Sequence, residues 1–176
     1  MAWYPIPSDE TERLAALRRY RVLDSEAEQS FDHIVNLASH QFGVPTALIT
    51  LVDAERQWFK ARCGLDATET DRDVSFCTHA LMTEEVMVVP DARRDPRFKT
   101  NPFVLEGLKI RFYAGAPLIV PEGHAIGTLC IIDELPRPCF SPEDRALLRA
   151  LADVVVDFLV ARGQLLDAQT LAFAAS

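Results

Sequence analysis

The chain has 176 residues, 49% of them hydrophobic, which is enough for one domain to build its core without metal or disulfide support. Twenty-six acidic against 18 basic side chains give a net charge of -8, and no Lys/Arg stripe interleaves with aromatics, so nucleic acid is not an expected partner. The amino terminus, MAWYPIPSDETERL, has no basic and then apolar leader, and no apolar run approaches the roughly 20 residues of a membrane span, so a cytoplasmic protein with no membrane partner is expected.

In chain order, Ser8 ahead of Asp9, Glu10 and Glu12 predicts a capped helix over residues 9–21. Ser25 with Glu28 reads as a capping box for a second helix, whose apolar face is Phe31, Ile34, Val35, Ala38 and Phe42 and whose end is Gly43. Residues 46–52 and 57–62 read as a hairpin around Asp53-Ala54-Glu55. The polar run 66–73 reads as a loop, 76–82 as a short helix, 86–89 as a short strand, and 90–107 as coil with at most single helical turns. Residues 112–120 and 125–132 then form a hairpin around Pro121-Glu122-Gly123. Neither run alternates apolar with polar residues, so both faces of this hairpin must be covered, one by helices and the other by the wall of a cavity. Ser141-Pro142-Glu143-Asp144 sets serine, proline and two acids at a helix start, and Leu148, Leu151, Val155, Phe158, Leu159 and Leu166 keep helical spacing beyond it, with Gly163 a candidate interruption. That apolar face is broad enough to pack against the first helix and against a second subunit, or to be used wholly within the chain.

The candidate ligand region is Ser75, Phe76, Cys77 and His79 with Asp91, Phe98, Tyr113 and, across the sheet, Phe59. A thiol and an imidazole at i, i+2 could bind a chromophore, coordinate a metal or sense oxidation, but on a helix they point about 200° apart and cannot work as nucleophile and base. The run Asp91-Ala92-Arg93-Arg94-Asp95-Pro96-Arg97 could grip an anion or form a solvated loop with internal ion pairs. Cys63, Cys77, Cys130 and Cys139 lack zinc spacing and read as small, reduced thiols. Ser39-His40-Gln41-Phe42 lacks the acid and base that follow a phospho-accepting histidine, and no phosphate-loop, GxSxG, HExxH or EF-hand pattern occurs. No metal or cofactor is specified, and catalysis is not expected.

Taken together, RLAALRRYRVLDS, ITLVDAERQWFKARCGLD, DVSFCTHAL, VVPDARRDPRF, IRFYAGAPL and GTLCIID make the chain resemble a GAF domain of the subgroup fused to bacterial sensor histidine kinases and diguanylate cyclases. The resemblance implies an α+β, PAS-related fold: an antiparallel sheet of about six strands, terminal helices on one face, and a ligand pocket under loops and short helices on the other. It implies residues 8–162 as the domain, 1–7 as an extension and 163–176 as a helical tail. It also implies sensing of an unidentified small molecule and dimerisation through the terminal helices. The leading expectation is a two-component signalling module in which the ligand shifts the population of packings and the terminal helices report to a separate signalling protein, with no room for an output domain after Cys139. Of the family's ligand marks, cyclic-nucleotide members carry Asn-Lys where this chain has Asn101-Pro102, and bilin-binding members carry Cys-His where it has Leu108-Lys109-Ile110-Arg111. The runner-up, by resemblance to the free methionine sulfoxide reductases, is a thiol-based redox protein using Cys77, with Cys63 as a resolving partner.

Overall fold

A computed structural model describes residues 4–175 of the chain. Helix α1 (Glu10–Arg19) is preceded by Asp9 rather than capped by Ser8, and Asp9 makes no side-chain cap bond because its carboxylate meets His124 Nδ1 at 2.6 Å. Helix α2 (Gln29–Phe42) likewise lacks the expected capping box. Ser25 Oγ donates to the carbonyl of Val22 instead, and Glu28 is drawn away by Lys60 and Arg162. Gly43 ends α2 at φ 59°, in the left-handed region that glycine enters freely.

The sheet holds β1 (Thr46–Val52), β2 (Arg56–Cys63), β3 (Glu69–Asp71), β4 (Met87–Val89), β5 (Phe112–Ile119) and β6 (Ala125–Asp133) in the order β3-β2-β1-β6-β5-β4, every pair antiparallel. β3 falls inside the polar run read as a loop; three residues on a wet edge carry no periodic signal, and Arg56 of β2 holds the strand through Glu69 at 2.7 Å. A register shift between Ile49 and Thr50 leaves Lys60 as the extra residue of β2. The bulge turns that buried lysine toward α2, where it meets Ser25 Oγ, the Glu26 carbonyl, Glu28 and the face of Phe31.

The sheet is covered on both faces, as its apolar strands require. On one lie α1, α2 and the long α5 (Pro142–Ala174), closing over Leu17, Phe31, Val35, Ile49, Phe112, Leu118, Leu129, Ile131, Leu148 and Val155. On the other, α3 (Phe76–Ala80), the single turn α4 (Pro102–Leu105) and the loops around them close over Leu48, Val52, Phe59, Val89, Tyr113, Cys130 and Ile132. Helix α5 starts in a full capping box between Ser141 and Asp144 and runs through Gly163 without a break. It lies on β5 and α2, and reaches the α1 side through Arg162, which donates to the carbonyls of Tyr20 and Arg21 at 3.0 Å each.

Candidate functional site

Ser75 starts the covering helix α3: its Oγ accepts from the Thr78 amide at 3.2 Å and donates to Gln57 Oε1 at 2.6 Å, tying the helix start to β2. From there Phe76 lies flat on Phe98, with centroids 4.0 Å apart and planes 9° apart, and tilts against Tyr113 at 5.3 Å. Asn101 caps α4 and donates to the Val74 carbonyl at 2.9 Å, which holds the 90–107 loop against α3.

One residue on, Cys77 points down onto the middle of the sheet. Tyr113 of β5 donates its hydroxyl to Cys77 Sγ at 3.2 Å, Cys130 Sγ of β6 lies 3.8 Å away, and the Thr50 and Thr128 hydroxyls pair beside them at 3.0 Å. Burial works against a Cys77 anion, but hydrogen bonds from Cys130, Thr128, Tyr113 and Thr50 outweigh it and hold the thiol below its ordinary value. Its contact with Cys77, together with burial, pushes Cys130 well above. Burial, with the neighbouring Cys77 and Cys130, likewise keeps Tyr113 a neutral donor. Gly115, beside Tyr113 on β5, leaves the space that the ring fills, since a Cβ there would lie 2.2 Å from the hydroxyl.

The structure therefore gathers Phe59, Ser75, Phe76, Cys77 and Tyr113 around one cavity, with Phe98 stacked behind Phe76. His79 faces the other way, as the i, i+2 spacing predicts: it is half-buried with its ring edge-on to Phe98 at 4.8 Å. Burial and the nearby Arg97 lower its pKa, opposed by Asp95. Asp91 is also elsewhere, paired with Arg93 at 2.7 Å in an open groove of about 550 Å³ whose walls include Pro90, Arg94, Pro136 and Pro138. The DARRDPR run is thus a loop with internal ion pairs, Asp91 to Arg93 and Asp95 to Arg97. Cys63 packs against the helix-covered core and cannot resolve Cys77, which lies under the opposite face. Its neighbour is Cys130, which sequence reading did not select; the signal available was Thr128 and Cys130, two residues apart in GTLCIID and therefore on one face of β6.

The cavity measures about 30 Å³. That accommodates a water, which needs roughly 10–15 Å³, and is far below the roughly 300–1,000 Å³ of sites that hold organic ligands. Phe76, whose ring is stacked on Phe98, walls the cavity on the cover side. Among the described residues no group of three or more His, Cys, Asp and Glu could hold a metal, and no helix is long and apolar enough to cross a membrane.

A family model described as "GAF domain" matches residues 26–156. The chain is 43% identical over 156 residues to a cyclic di-GMP phosphodiesterase of Pseudomonas aeruginosa, a match covering 89% of this chain but only 27% of that protein's length. In fold it is similar to the GAF domain of an Acinetobacter phosphoenolpyruvate-protein phosphotransferase, with a TM-score of 0.63 and 19% identity over 89% of this chain and 98% of the other. The free methionine-R-sulfoxide reductase of Neisseria meningitidis gives a TM-score of 0.63 and 20% identity over 93% of this chain and 99% of its own.

Proposed function

This chain belongs to the GAF domain family, and from that premise we propose that it is a non-catalytic regulatory module whose covered sheet face takes the input and whose helix α5 delivers the output. The observation that carries the reading is the double role of β5. Tyr113 faces the covered cavity, while its neighbours Phe112 and Ala114 belong to the core that α5 closes, so one strand separates input from output. A displacement of the Tyr113 ring tilts β5, and α5 must repack against it.

The input in this reading is a small molecule that displaces the Phe76–Phe98 stack, and the closed form is the state it competes against. Opening α3 and the 90–107 loop breaks the Asn101 bond to Val74 and the Ser75 bond to Gln57, so the guest's affinity is reduced by that cost. The output is exerted on cyclic di-GMP turnover, the activity named for the Pseudomonas relative, by a signalling protein that α5 contacts. Two copies pair in the cytoplasm along the outer turns of α5, where Leu165 and Leu171 are exposed. The non-catalytic reading is supported by Cys77 being 2% exposed, out of reach of an organic substrate in the closed form.

The test is hydrogen exchange on Phe98→Ala, which removes half of the stack without touching α5. Faster exchange is expected both in α3 and in the stretch of α5 that lies on β5. Exchange that rises in α3 and is unchanged in α5 refutes transmission through β5. Native mass spectrometry of freshly purified protein reports bound small molecules and subunit number together.

A further inference from the structure

We infer that Cys77 and Cys130 are a peroxide-oxidisable dithiol whose disulfide locks α3 onto the centre of the sheet. Their sulfurs already lie 3.8 Å apart, and a disulfide bond is about 2.0 Å long, so closure asks for less than ~2 Å of movement. The two thiols come from different layers, Cys77 from the cover and Cys130 from the central strand β6. Both side chains line the cavity of about 30 Å³ beside them, with room for one molecule as small as water or hydrogen peroxide. Larger oxidants and thiol reagents are excluded by Phe59, Phe76 and Phe103, which line the same space. Tyr113 donates its hydroxyl to Cys77 Sγ and the Thr50–Thr128 pair lies beside it, so neutral hydrogen-bond donors favour the thiolate there against the cost of burial.

The chemistry balances with hydrogen peroxide as the oxidant. The Cys77 sulfur attacks one peroxide oxygen, the O–O bond breaks, and sulfenic acid forms as the other oxygen leaves and takes up the thiol proton as water. The Cys130 thiol then attacks the Cys77 sulfur, the S–S bond forms, and the hydroxyl leaves with the Cys130 proton as a second water. Two thiols lose two electrons and one peroxide gains them. The product ties the cover to the sheet beside the Phe76–Phe98 stack, so the oxidised module is held closed. That consequence rests on the regulatory reading above, whereas disulfide formation does not.

The experiment treats fully reduced Cys63→Ser/Cys139→Ser protein, which keeps only the two buried thiols, with graded hydrogen peroxide, then denatures it and alkylates. Loss of both alkylatable thiols, their recovery with dithiothreitol, and a Cys77–Cys130 cross-linked peptide are expected. Mapping the same peptide in peroxide-treated wild type needs no substitution and guards against a misfolded variant. Two free thiols remaining after a dose that oxidises the exposed Cys139 of wild type would overturn the inference, as would Cys77 passing to sulfinic acid with Cys130 still free. Hydrogen exchange on the oxidised protein reads the locking separately. Slower exchange in α3 supports it, and a formed disulfide with unchanged exchange removes the locking while leaving the regulatory reading to its own test.

Discussion

Substituting Gly115 by alanine isolates the packing that closes the cavity. In a strand interior, alanine normally favours folding over glycine by roughly 0.5–1 kcal/mol, because it loses less chain entropy. At Gly115 the added Cβ would stand 2.2 Å from the Tyr113 hydroxyl, 2.7 Å from Cζ and 2.9 Å from Cε1, all inside contact distance. The ring has nowhere to go: it is fully buried against Phe76 and bonded to Cys77. Overpacking of this kind costs about 1–3 kcal/mol, so Gly115→Ala is expected to destabilise the chain by about 1–2 kcal/mol net. For a chain of this length that lowers the melting temperature by roughly 2–8 °C. Urea unfolding, followed by the fluorescence of buried Trp58, measures it. In a Tyr113→Ala background the three atoms nearest the new methyl are gone, and the same substitution should become stabilising by about 0.5 kcal/mol. Equal destabilisation in both backgrounds, or none in the wild type, refutes the claim that the Tyr113 ring occupies the floor of the cavity.

Glu28→Gln should cost about 3 kcal/mol in urea unfolding, because it strips the carboxylate from the fully buried Lys60 side chain and from Arg162 at once. Adding Lys60→Met should recover most of that loss, and a double variant as unstable as the single one would show that the lysine's charge is not the cause. Burial alone would raise the pKa of Glu10, but hydrogen bonds from Arg13 and Arg72 prevail and hold it at about 2, below its ordinary 4.5. The folded value is the lower one, so this stabilisation is fully present above pH 4.5 and is lost as pH falls toward 2. Glu10→Gln should flatten the pH dependence of stability across that window, and an unchanged slope would assign acid unfolding to other carboxylates. Ser141→Ala should cost about 1 kcal/mol by opening the capping box of α5, read from the shift of the urea midpoint.

Local signals in the chain determined its elements. Ser141-Pro142 placed the start of α5, Gly43 the end of α2, and two runs without polar alternation required a sheet covered twice, because these effects act within a few residues. The same locality explains what was missed. Whether Asp9, Ser25 and Glu28 cap helices depended on His124, Val22, Lys60 and Arg162, some of them more than 100 positions away, and β3 existed only because β2 offered it an edge. The candidate site divides along the same line. Local motifs marked Phe59, Ser75, Phe76, Cys77, His79, Asp91, Phe98 and Tyr113 as pocket residues, but only the tertiary packing set His79 and Asp91 elsewhere, stacked Phe76 on Phe98 and reduced the enclosed space to about 30 Å³. Only the register of β6 on β1 and β5 set Cys130 rather than Cys63 beside Cys77, since a strand's alternation names the two sets of faces but not which set turns toward the cover.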